Sequence, residues 1–159
     1  MAKFQLLAAL CLLSAIVGLA RASPKPQFAI EGRVYCDTCR AGFETSATEY
    51  IKGAKVKVEC KRYDNDEVSY EAEAVTDDSG TYKLTIDDDH QDEICEVVLL
   101  ESPVEGCKEI VVGRNRARVM LTQNSGISST VRYANALGFY KEDPLPLCGE
   151  LLRIFALDD

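Results

Sequence analysis

The chain has 159 residues, with 26 acidic side chains against 18 basic ones, a net charge of −8 and a single histidine. An acidic surface without a basic face is repelled by phosphate backbones and anionic membranes, which excludes nucleic-acid binding and disfavours bulk adsorption to acidic cell-wall polymers. The length suits one domain with a real core, not two.

The chain opens with Lys3, an apolar run from Leu6 to Leu19, and Ala20-Arg21-Ala22 before Ser23. A charged start, a short apolar middle and small residues at the last and third-last positions read as a secretory signal peptide over residues 1–22, cleaved after Ala22. The run is shorter than the roughly 18 apolar residues of a membrane span, so no membrane insertion is expected. Residues 23–159 form the expected domain, and losing Lys3 and Arg21 makes it more acidic still. Pro24 and Pro26 predict a short extended arm before the fold.

Strands follow. Phe28, Ile30 and Val34 lead to Cys36. Ala54, Val56, Val58 and Cys60 alternate with Lys55, Lys57 and Glu59, the period-2 pattern of a half-buried strand, and Ala72 and Ala74 repeat it weakly. Asp77-Asp78-Ser79-Gly80 is a turn by composition, and Tyr82, Leu84 and Ile86 alternate after it, so the runs on either side are expected to form a β-hairpin. Ile94 to Leu100 is expected to be a central strand. Ile110 to Val112, Ala117 to Leu121, Ala136 to Tyr140 and Leu151 to Ala156 complete the set. Residues 41–51 are undecided, with room for a short helix. Beyond the signal, no segment sustains a 3.6-residue period over ten positions. The expected fold is all-β: a compact antiparallel barrel or sandwich of about seven short strands with Greek-key-like connections.

Of the seven cysteines, Cys11 leaves with the signal. The remaining Cys36, Cys39, Cys60, Cys95, Cys107 and Cys148 are an even number in an exported chain, which reads as three disulfides. Six cysteines allow fifteen pairings, and spacing alone does not choose among them.

The most specific stretch is Glu31-Gly32-Arg33-Val34-Tyr35-Cys36-Asp37-Thr38-Cys39-Arg40. It resembles the signature of the olive pollen allergen family. The resemblance continues through Gly53-Ala54, the Cys60 strand, Ala72 to Asp77, Ile94-Cys95-Glu96, Tyr133-Ala134-Asn135 with Leu137, Pro144-Leu145 and Cys148, essentially the whole expected domain. It implies a β-barrel-like domain in which Cys36 joins Cys107, Cys39 joins Cys148 and Cys60 joins Cys95. Cys36 and Cys39 lie three apart in an extended stretch, so their side chains point to opposite faces and separate partners suit them. The chain departs from family members that carry an N-linked glycan, because Asn65, Asn115, Asn124 and Asn135 all lack Ser or Thr two positions on.

Candidate chemistry is sparse. Cys36 and Cys39 lack the second ligand pair a zinc site needs and read as structural disulfide cysteines. His90, in Asp87-Asp88-Asp89-His90-Gln91-Asp92-Glu93, reads as part of a solvated loop between strands. The run lacks the spacing of a calcium loop. Arg114, Arg116 and Arg118 alternate, so a strand would place them on one face able to grip a carboxylate or sulfate; the structural alternative is a charged edge strand that blocks aggregation. They are the best candidate contact patch. No nucleophile motif, phosphate loop or metal set is present, so neither enzyme activity nor a cofactor is expected. With the resemblance, this implies a monomeric extracellular protein of pollen tissue, a ligand or cofactor for a cell-surface receptor-like kinase ectodomain in pollen hydration or tube growth. The competing reading is a cell-wall carbohydrate-binding or modifying protein, weakened by the absence of Trp.

Overall fold

The computed structural model describes residues 25–155, so the expected signal peptide lies outside the described residues. Nine strands form two sheets: β1 Gln27–Asp37, β2 Glu49–Tyr50, β3 Lys55–Arg62, β4 Val68–Val75, β5 Thr81–Asp87, β6 Glu93–Glu101, β7 Arg116–Val119, β8 Val131–Tyr133 and β9 Leu137–Tyr140. A 3-10 turn spans Gln123–Ser125, and a helix, α1, spans Cys148–Arg153.

The long β1 is the spine of the first sheet. Along one edge it pairs antiparallel with β5 and then β2; along the other it pairs parallel with β8 and then β9. The second sheet runs β4-β3-β6-β7, antiparallel throughout. Inward residues of both sheets, among them Phe28, Ile30, Val56, Val58, Tyr82, Ile86, Val97, Val119, Leu137 and Phe139, merge in one core. The long strands offer their apolar sides to the opposite sheet, so an all-β sandwich follows from the alternation read in β3 and β5.

Several elements differ from the sequence reading. The Asp77–Gly80 turn does not close a hairpin: β4 pairs with β3, whereas β5 pairs with β1. Its two ends are tied to different sheets. The Thr76 amide donates to the Ala54 carbonyl at 3.0 Å, and the Val34 amide donates to Gly80 at 2.8 Å. Gly80 needs its positive φ of 73°, and a Cβ there would come within 2.8 Å of the Val34 carbonyl oxygen. Ile110 to Val112 is not a strand. Glu109 makes an isolated bridge to Tyr140, and the chain then turns at Gly113, φ 86°, leaving Val112 92 % exposed. Residues 41–51 form bends and the two-residue β2, with no helix.

Where the sequence predicts a strand over Leu151 to Ala156, Cys148–Arg153 is helical, and Ala156 lies outside the described residues. Leu151 and Leu152 are adjacent and both half-buried, so no period-2 face exists. Glu150 in the first turn and Arg153 in the last suit the helix dipole. The parallel β8 and β9 ladders also depart from an all-antiparallel expectation, and β8 was not foreseen: three residues are too few to show a period.

Candidate functional site

The signature segment is where the two expected roles of the sequence, architecture and contact, can be separated. A Cβ at Gly32 would overlap the Tyr82 hydroxyl. Tyr35 packs on Gly138, where a Cβ would sit 2.7 Å from the Tyr35 ring, and burial pushes the Tyr35 hydroxyl up to about 12. Asp37 is buried and its carboxylate accepts from the amides of Ala41, 3.0 Å, and Gly42, 2.6 Å. Thr38 donates to the Ala47 carbonyl at 2.8 Å. Arg40, at φ 53°, grips Glu109 bidentately at 2.6 and 2.8 Å and donates to the Lys141 carbonyl. That fork holds the Glu109 carboxyl below its usual range. Arg33 stacks over Tyr50, 3.3 Å from the ring centroid. Almost every side chain of the motif is thus committed within the molecule.

The same segment carries two of the three disulfides. Cys36 is bonded to Cys107 and Cys39 to Cys148, while Cys60 and Cys95 join β3 to β6. The first two clamp β1 to the 107 loop and the turn after it to α1, fixing one end of the sandwich.

The three arginines do not form one face. Arg114 precedes β7, lies over the 41–44 bend and donates to the Gly42 carbonyl at 3.3 Å. Arg116 and Arg118 do alternate on the outer side of β7. Arg116 is engaged with Glu96 at 2.6 Å and with Glu59 at 3.4 Å. Glu59 sits at the centre of a charge lattice, with Lys57 and Lys61 each at 3.2 Å. Its burial alone would raise the carboxyl, but hydrogen bonds from Lys57 and Lys61 outweigh it and hold the group below its ordinary value. Arg118 is less committed, touching the exposed Tyr63 hydroxyl at 3.2 Å.

Arg118 borders a surface that the sequence does not assemble. It lines a shallow groove of about 310 Å³ with Met120, Ile127 and Tyr133, of which Met120 is 53 % and Tyr133 77 % exposed. β7 is the free edge of its sheet and β8 flanks β1, so the groove bridges the two sheets. Its floor is Arg132, a buried guanidinium with no carboxylate partner among the described residues. Arg132 donates to the carbonyls of Met120, 2.7 Å, and Thr122, 3.1 Å, and to Ser129, and lies over the Phe28 ring. It ties the 120–129 loop to β8. Tyr133, in a run that resembles family positions, stands exposed at the rim of this groove.

A second cleft, about 680 Å³, lies between the β3–β4 turn and the 87–93 loop. Here the reading of a solvated loop fails for His90. Its side chain is only 9 % exposed, with Nδ1 2.6 Å from Glu93 Oε2 and its ring edge-on to Tyr70. The Asp89 carboxylate accepts from the Gln123 amide, which pins the loop with His90 turned inward against Glu93.

The comparisons with known proteins bear on this arrangement directly. The family described as "Pollen protein Ole e 1 like" matches residues 26–156. The chain belongs to this family. It is 51 % identical over 131 residues to "Major pollen allergen Lol p 11" of Lolium perenne, covering 82 % of this chain and 98 % of that protein. It is 45 % identical over 147 residues to "Anther-specific protein LAT52" of Solanum lycopersicum, covering 92 % and 90 % respectively. The crystal structure of the major plantain pollen allergen Pla l 1 superposes with a TM-score of 0.68 at 30 % identity, over 76 % of this chain and 98 % of that one. Across the family match runs the same signature segment whose side chains lock the fold. Among the described residues no helix is long and apolar enough to cross a membrane.

Proposed function

We propose that this chain is a secreted, pollen-associated interaction protein that acts outside the cell as a ligand or cofactor for a receptor-like kinase ectodomain in pollen hydration or tube growth, by surface recognition and without turnover. Pollen and anther proteins among its relatives support the tissue, and three disulfides support an oxidising compartment. The observation that carries the mode of action is the Arg118–Met120–Ile127–Tyr133 surface. Arginine, tyrosine and methionine are the residue types enriched in protein interfaces, and here they stand exposed on a rigid base. Of the three candidate arginines, Arg118 is the direct contact, and Arg114 and Arg116 act through the field around it.

The test is binding of the purified protein to a panel of receptor-like kinase ectodomains from pollen. Tyr133→Ala with Met120→Ala is expected to weaken the interaction about tenfold or more. Charge reversal at Arg118 is expected to slow association chiefly at low salt. A panel without any binder, or cleavage of a cell-wall polysaccharide that is lost on removing one Asp or Glu, would overturn the reading in favour of carbohydrate chemistry.

A further inference from the structure

Beneath the second cleft, four potential metal ligands converge from three parts of the chain. Cys60 of β3, Cys95 and Glu93 of β6, and His90 of the preceding loop each offer a donor atom, all within 4.8 Å of one another. Two of them, Cys60 and Cys95, are joined as a disulfide, which removes them as ligands while the bond is closed. His90 is the anomaly. Its side chain is nine-tenths buried, its Nδ1 faces Glu93, and its buried Nε2 has no hydrogen-bond partner among the described residues. A buried imidazole nitrogen without a partner is a costly feature to keep without a use.

We propose that the Cys60–Cys95 disulfide conceals a reduction-gated site for a zinc-class divalent cation, with two thiolates, one His90 nitrogen and one Glu93 carboxylate oxygen as its ligands. Two sulfurs, one nitrogen and one oxygen form a borderline-soft set suited to tetrahedral zinc. Bonds of about 2.0–2.3 Å place neighbouring ligands of a tetrahedron about 3.3–3.8 Å apart, so the present cluster closes with side-chain adjustments on the order of 1 Å.

The ladder explains why opening the bond need not disperse the ligands. Cys60 and Cys95 are direct partners in the β3–β6 register, with Val58 opposite Val97 and Arg62 opposite Glu93 on either side. Backbone pairing keeps the two sulfurs facing each other once the cross-link is gone. The other two disulfides join Cys36 of β1 to the 107 loop and Cys39, in the turn after β1, to α1, outside any such ladder.

Opening requires a dithiol reductant. Its two thiols supply two electrons and two protons, the Cys60–Cys95 S–S bond breaks, two cysteine thiols form, and the reductant leaves as its own disulfide. The cation then displaces the two thiol protons into solvent, so its affinity rises with pH. The metal replaces the covalent staple between β3 and β6.

The experiment uses the full secreted protein under native conditions. Dithiothreitol is titrated in, differential alkylation with mass spectrometry maps which cysteines open, and the reductant is removed anaerobically before zinc or cobalt is added. The oxidised protein is expected to retain no zinc after gel filtration, and protein opened at Cys60 and Cys95 one equivalent. Cobalt should show tetrahedral d–d bands with thiolate charge transfer. His90→Gln and Glu93→Gln, two independent changes in case one disturbs folding, should each weaken zinc binding about tenfold or more. The proposal is overturned if chains with Cys60 and Cys95 mapped as free thiols hold no zinc, or if a Cys60→Ser, Cys95→Ser protein holds as much. It is equally overturned if both ligand variants bind like the parent, or if the pair opens only on global unfolding.

Discussion

The clamped end of the sandwich and its β7–β8 end make opposite use of their side chains. Around residues 31–40, Asp37 caps a bend, Thr38 and Arg40 reach backbone carbonyls, and two cysteines anchor β1 to distant segments. At the β7–β8 end Met120, Ile127 and Tyr133 project outward over a buried arginine. The most recognisable motif of the chain is therefore architectural, and of the groove residues only Tyr133 falls in a family-like run. Residues that must meet specific partners inside the molecule leave a dense local signature, whereas the groove residues fall at irregular spacing between 118 and 133 and show no pattern of their own.

The comparison is broken most forcefully at the clamped end. Cys148→Ser removes a bond closing a loop between residues 109 apart, worth roughly 4 kcal/mol in the chain-entropy picture. The expected result is a lower denaturation midpoint, fast hydrogen exchange in α1, and near-native protection in β3 and β6. Equal loss of protection in both places would mean that the clamp and the second sheet unfold as one unit.

Next in size comes the base of the groove. Arg132→Met keeps the bulk but strips donors from the carbonyls of Met120, Thr122 and Ser129. A loss of about 2–3 kcal/mol is expected in urea unfolding, with increased exchange confined to residues 120–129. An unchanged midpoint would show that water serves those carbonyls as well as the guanidinium does.

Much of the scaffold was legible in the sequence, and the exceptions have physical causes. The alternation of Val56, Val58 and Cys60, and of Tyr82, Leu84 and Ile86, places β3 and β5, because each strand shows one face to the core. The disposition of the turn at Asp77–Gly80 was not legible, since the ties that send its ends into different sheets involve Ala54 and Val34, remote from the turn itself. The α1 helix is six residues long, too short for a helical period to show. His90 turns in beside Glu93 within a run of mostly outward carboxylates, so composition masks it. The arginine reading captured Arg116 and Arg118 as neighbours on one face but not Arg114, because β7 begins two residues later than the alternation. Met120, Ile127 and Tyr133 meet only through the packing of β7 beside β8, which no local pattern encodes.

A smaller effect separates the charge lattice from both ends. The Glu59 carboxyl is held below its unfolded value, so its contribution is fully present above the ordinary carboxylate range, about 4.3, and is lost as pH falls through the lowered folded value. Glu59→Gln should accordingly flatten the acid limb of the stability profile, with parent and variant converging at the lowest pH. Parallel profiles would show that the lattice of Lys57, Lys61 and Arg116 does not stabilise the ionised form.

The smallest effect on stability is expected where the effect on recognition is greatest. Tyr133 is 77 % exposed, and among the described residues its hydroxyl makes no hydrogen bond that truncation would break. Tyr133→Ala should therefore move the denaturation midpoint by no more than about 0.5 kcal/mol, as for surface positions generally. If the groove is the contact face, the same change lowers ectodomain affinity about tenfold, because an exposed aromatic gains its burial only in the complex. Cys148→Ser should give the inverse pattern: a large stability loss and, at temperatures where the protein remains folded, near-normal affinity, since α1 lies at the clamped end. Measuring both variants for both quantities makes the assignment decisive. A Tyr133→Ala protein that binds like the parent, beside a folded Cys148→Ser protein that does not, would move the contact face to the clamped end and reverse the division of labour.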